Sequence, residues 1–164
     1  MVSDVTVATA VLASVTLSLP FYLYGAWVMI DAETVTWSTL TYHLRFIVTG
    51  LVLTTVPVVV WMAPRLLAQL GSGLAAVHAF FGLQAYALLT FGLTGIVRIL
   101  QAKRRHGLYE DPDQDVALSD LHENADNWRR RLRIGVFGYV LFWLVAYLIG
   151  VVRYYLLHLT SGAT

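Results

Sequence analysis

The chain has no cysteine, which excludes disulfides, thiolate metal sites and covalently attached c-type haem. It has a single lysine, Lys103, against ten arginines. Charged residues make up 13% of it, where a water-soluble domain carries about 25%. No aspartate, glutamate or lysine falls inside any of its long apolar runs. That argues against a proton-coupled transporter or ion pump, which buries an ionisable group in the membrane. No run alternates apolar and polar residues as the strands of a membrane barrel do. No phosphate loop, zinc-protease signature or nucleophile–base spacing is present, and nothing points to nucleic acid.

What the chain does have is apolar surface. At 164 residues there is room for one domain, and 58% of it is hydrophobic, more than so small a soluble fold could bury. A hydrocarbon core of ~30 Å needs about 20 apolar helical residues, and four runs meet that length: Val5–Ile30, Leu40–Ala63, Leu74–Val97 and Ile134–Leu157. Only helices satisfy the backbone of such runs in lipid. The expected fold is an all-α membrane protein, a single domain with transmembrane helices near 5–30, 40–63, 74–97 and 134–157. Short connections make neighbours antiparallel, an up-down bundle. The stretch after Met1-Val2-Ser3-Asp4 lacks the basic region of a signal peptide and is too long for its core, so it reads as a retained span.

Orientation follows from the basic residues near span ends. Arg45, Arg98, Lys103, Arg104, Arg105, Arg129, Arg130, Arg131 and Arg133 fall on one side, and only Arg65 and Arg153 on the other. Loop 98–133 is therefore expected in the cytoplasm and both termini outside, in the cell membrane. Within that loop Asp120 and Glu123 have the spacing of a capping box, opening a helix through Trp128 into the fourth span. Lys103-Arg104-Arg105 reads as a topology signal that also touches anionic lipid. Asp111-Pro112-Asp113-Gln114-Asp115 resembles the start of a calcium loop, but Val116 stands where glycine is needed and His122 where glutamate belongs.

The polar candidates inside the spans are histidines. His78 shares a helix face with Gly82, Ala85, Leu89 and Gly92; His43 shares one with Ile47, Gly50, Thr54 and Pro57; His158 closes the fourth span. At ~1.5 Å rise per residue, His78 lies about 12 Å and His158 about 20 Å from midplane on the outer side. His43 lies about 13 Å toward the cytoplasm, so His43 and His78 cannot share a metal. Arg153 is nearly level with His78. Two readings stand side by side. In one, the histidines hydrogen-bond neighbouring helices or interfacial water, and Arg45, Arg98 and Arg153 snorkel to the surface. In the other, His78 and His158 ligate a b-type haem, with Gly82 giving the porphyrin room and Arg153 meeting a propionate; His43 is then a second polar site on the cytoplasmic side. No catalytic residues and no other metal site are indicated. Small residues on span one (Thr9, Ala13, Thr16, Pro20) and span four (Gly135, Gly138) let helices approach closely.

The segments Tyr42-His43-Leu44-Arg45-Phe46-Ile47-Val48-Thr49-Gly50 and His78-Ala79-Phe80-Phe81-Gly82-Leu83-Gln84-Ala85-Tyr86 resemble a four-span membrane family of halophilic archaea. The loop Leu108–Val116 is similar to the same family. The arginine and aspartate bias agrees with a GC-rich, high-salt source. The resemblance covers nearly the whole chain and implies a setting beside respiratory cytochrome b and blue-copper proteins. A weaker likeness is to b561-type cytochromes, where a histidine is followed by glycine four residues later. His78 and Gly82 match that element; His43, whose glycine comes seven residues on, departs from it. The expectation is a small accessory subunit of a respiratory electron-transfer complex, with cytochrome b-type subunits and the lipid bilayer as partners. A haem-binding electron-transfer protein is the first alternative, and a transporter of small uncharged solutes the second.

Overall fold

A computed structural model of the chain describes residues 3–32, 36–108 and 122–160, the side chains at 66, 67 and 69 excepted. The Asp111–Asp115 segment and Asp120 lie outside the described residues. Those described form helices and turns with no strand. Helix α1 is Asp4–Asp31 and α2 is Trp37–Pro57, which continues through a π-helical turn, Val58–Met62, into α3, Ala63–Gln69. Helix α4 is Gly73–Arg105, and α5, Ala125–Tyr155, ends in a second π-helical turn, Leu156–Thr160. Among the described residues, four helical stretches are long and apolar enough to cross a membrane: Asp4–Asp31, Trp37–Arg65, Gly73–Arg105 and Ala125–Thr160.

The ends are set by local chemistry. Ser3 and Thr36 cap α1 and α2, their hydroxyls accepting from the amides of Thr6 and Thr39, each at 3.2 Å. Helix α4 outruns its apolar segment by two turns, because nothing between Arg98 and Arg105 breaks a helix. It stops at Gly107, which takes φ +67°, a left-handed conformation that glycine adopts without a Cβ clash. There Gly107 N–H donates to the Arg104 carbonyl and Leu108 N–H to that of Lys103, both at 3.2 Å, the paired bonds of a Schellman motif. Lys103, Arg104 and Arg105 in the last turn complement the helix dipole.

Among the described residues almost no large apolar side chain is fully buried, and many are exposed. Ile30, Phe137 and Leu23 are 70% or more exposed, while the largest fully buried side chains are Ser18 and Thr54. This inverts the pattern of a water-soluble protein. Between helices in lipid there is no hydrophobic drive to associate, so close approach and hydrogen bonds hold them together.

The chain divides into two compact units. The first comprises Met1–His78 and Tyr147–Thr164. Here α1 and α2 run antiparallel, with Gly25 set against Phe46 and Ile47; a Cβ at Gly25 would lie 2.9 Å from Ile47 Cδ1. The Tyr22 ring lies on Gly50, and its hydroxyl bonds Thr54 Oγ1 at 2.8 Å. Thr54 itself donates to the Gly50 carbonyl, so Tyr22 is the donor to Thr54. Pro57 lacks the N–H that would bond the Leu53 carbonyl four residues back. Ser14 of α1 repairs the defect, donating from Oγ to that carbonyl at 2.8 Å. The C-terminal part of α5 pairs antiparallel with α1, where Tyr154 bonds Thr9 at 2.7 Å and Tyr147 bonds Thr16 at 3.1 Å.

The second unit is Ala79–Ala146. Here α4 and α5 cross backbone to backbone: a Cβ at Gly92 would lie 3.2 Å from Gly135 Cα, and one at Gly95 2.6 Å from the Trp128 carbonyl oxygen. Leu88 fills the space over Gly138, and Phe81 meets Phe142 with ring centroids 5.5 Å apart. A Cβ at Gly135 would collide with Gly92 itself.

Two contrasts test this packing. Gly135→Ala should destabilise by about 1–3 kcal/mol through overpacking, whereas Gly82→Ala, with nothing within 4 Å, should be neutral or gain up to about 1 kcal/mol from helix propensity. Ser14→Ala should cost about 1–2 kcal/mol by orphaning the Leu53 carbonyl. Thermal unfolding in detergent, followed by circular dichroism, would measure all three.

Candidate functional site

The polar site of the first unit is built where the start of α4 meets the end of α5. Arg153 Nη1 lies 3.0 Å from His78 Nδ1. A guanidinium only donates, so His78 Nδ1 accepts and the neutral ring carries its proton on Nε2. Gly150, one turn before Arg153, leaves room for the imidazole: a Cβ there would lie 3.3 Å from both Cε1 and Nε2 of His78. Tyr154 adds its hydroxyl bond to Thr9, and the His158 ring packs on the Tyr154 ring with centroids 5.2 Å apart. In the same unit Arg65 stacks 3.2 Å above the Trp61 ring and reaches Asp4 at 3.7 Å. That ion pair is exposed and contributes little to stability.

The structure therefore brings His78 and Arg153 together. His158 sits with Tyr154, and among the described residues no hydrogen bond joins it to His78. Gly82 has open space over its Cα. His43, on α2, donates from Nδ1 to the Gly25 carbonyl at 2.7 Å, so that in the neutral ring Nε2 carries the lone pair. His43 and His78 thus hold opposite tautomers. His106 resembles His43, donating to the Ala102 carbonyl at 2.9 Å, whereas His122 Nδ1 accepts from the Asn124 amide at 3.0 Å and stacks on Trp128. No group of three or more metal-ligating side chains occurs among the described residues.

Sequence reasoning missed Gly150 and the two tyrosine–threonine bonds. A signal for the bonds was there: Thr9 and Thr16 are seven residues apart on α1, as Tyr147 and Tyr154 are on α5, so antiparallel helices can match both pairs at once.

Among the described residues, four helices long and apolar enough to cross a membrane, with small and hydroxylic residues buried, have the character of a multi-pass helical membrane protein. The chain belongs to the DUF7321 family, described as a domain of unknown function, whose match covers residues 4–159. No curated protein and no solved structure matches the chain.

The tautomers are directly measurable. Imidazole 15N shifts of the detergent-solubilised protein should report the Nδ1–H form for His43 and the Nε2–H form for His78. Arg153→Leu should release the second preference and leave the first unchanged. An Nδ1–H signal from His78 in the unaltered protein would contradict the hydrogen bond as described.

Proposed function

We propose that the chain is a small accessory subunit of a respiratory electron-transfer complex, held in the membrane by its four helices and docked through helix faces left open in the monomer. The observation that carries this reading is the surface. About half of the described large apolar side chains are exposed and almost none is fully buried, and Gly82 of α4 has nothing within 4 Å while Leu83 beside it is 61% exposed. A glycine open to the outside on a membrane helix suits close approach by a neighbouring helix. The respiratory setting comes from the family resemblance carried by residues 42–50 and 78–86. The charge distribution supports a cytoplasmic position for loop 98–133, with both termini outside.

Mild-detergent purification should recover a stoichiometric larger partner, and Gly82→Leu should lower its recovery severalfold without changing the thermal stability of the isolated chain. Recovery as a lone species from native membranes would overturn the accessory role. Because the chain has no native cysteine, single cysteines at positions 3 and 130 give a clean orientation test: an impermeant maleimide applied to whole cells should label position 3 and spare position 130.

The haem alternative has one specific support, at a histidine other than the expected pair. A ligating imidazole usually donates its second N–H to a carbonyl or carboxylate. His43 does this with Gly25, whereas His78 as hydrogen-bonded to Arg153 offers no Nε2 lone pair. A haem b on His78 and His158 therefore requires the Arg153 bond to break. A dithionite-reduced spectrum of the purified protein decides: a haem α-band lost in His43→Ala but retained in His78→Ala would support ligation at His43, and a colourless protein would end the haem reading.

A further inference from the structure

Near its basic end, α4 carries a shallow open groove of about 470 Å3 lined by Thr90, Leu93, Thr94, Val97, Arg98 and Gln101. All six are exposed and lie at helical spacing on one face. The face is graded, with a guanidinium and an amide at one end and aliphatic side chains toward the other. The two hydroxyls, Thr94 along the face and Thr90 at its far end, are already committed to their own helix: Thr90 donates to the Tyr86 carbonyl at 2.9 Å and Thr94 to that of Phe91 at 2.6 Å. Neither needs a partner from outside. From Thr90 to Gln101 the helix rises ~16 Å, about the depth of one leaflet of a ~30 Å hydrocarbon core.

The charge around the polar end has one sign. Arg98 has no carboxylate within ion-pair distance among the described residues. Lys103, Arg104 and Arg105 close α4, while Arg129, Arg130, Arg131 and Arg133 open α5 in the same unit. The two stretches meet there: a Cβ at Gly95 would lie 3.4 Å from Arg131 Cβ, and Ala102 and Ala125 are both buried. Among the described residues only Arg129 of this group has an acidic partner, Asp126 at 4.0 Å.

We propose that this groove binds one anionic phospholipid, its phosphate on Arg98 and Gln101 and a hydrocarbon chain along Val97 and Leu93 toward Thr90. Charge complementarity selects the headgroup, and the length of the groove matches a lipid lying within one leaflet. A parallel second copy of this chain would instead bring Arg98 and its basic surroundings against themselves. The inference rests on the membrane reading above but not on the accessory role.

The test is native mass spectrometry of the full chain in mild detergent, titrated with phosphatidylglycerol or with phosphatidylcholine. One phosphatidylglycerol per chain should be retained in preference to phosphatidylcholine. Arg98→Gln should weaken that binding about tenfold, the loss of one charge-assisted contact. Arg130→Gln, which removes the same charge outside the groove, should change it less than about twofold. Val97→Trp, which fills the groove without touching charge, should also release the lipid and serves if Arg98→Gln misfolds. Equal weakening by the two arginine variants would reduce the effect to diffuse surface charge and overturn the site, as would equal retention of phosphatidylcholine or occupancy by a second chain. A chain that stays soluble without detergent would instead defeat the membrane reading itself.

Discussion

Away from water, a backbone carbonyl that loses its helical partner must find another donor within the protein, and this requirement organises the first unit. Pro57 removes one donor from α2, and the freed Leu53 carbonyl is met by Ser14 of α1. That single bond ties the position of one helix to a defect in the other. Around it, Tyr22 lies across Gly50 and bonds Thr54, and His43 donates to the Gly25 carbonyl. Every one of these contacts links α1 to α2, and each joins a hydroxyl or imidazole to a place where a glycine or proline has opened the helix surface. In lipid, where no water competes, such polar groups serve as interhelical fasteners.

In the second unit, α4 and α5 meet by close approach of their backbones. Gly92 and Gly135 let two backbones touch, and Gly95 admits the backbone of α5 at Trp128. Leu88 and Phe81 then pack around the crossing. With lipid tails as apolar as leucine, burial by itself contributes little between these helices, and dense contact between backbones supplies the attraction. The same physics explains why the fully buried positions among the described residues are almost all small.

Much of the fold was legible in the sequence. Four apolar runs without carboxylates specify four helices, since no other structure closes the backbone hydrogen bonds at that length in lipid. The end of an apolar run and the end of its helix proved to be different things in α4. Arg98 to Arg105 stay helical because charge does not break a helix, and the stop is left to Gly107. Pro57 was visible within the second span but its remedy was not, because Ser14, thirty-nine residues before Leu53, carries no mark of the carbonyl it will meet.

The candidate site divides along the same line. Sequence determined which residues bear chemistry, namely the histidines within the spans, Arg153 near the level of His78 and a basic end shared by α4 and α5. It did so because composition and helical rise alone set polarity and depth. Tertiary structure decided what each imidazole can do. His78 accepts from Arg153 and His43 donates to Gly25, which leaves one ring with a proton on Nε2 and the other with a lone pair there. A tautomer is set by the hydrogen-bond partner, and here each partner belongs to a different helix, so only the packing of the helices could settle it.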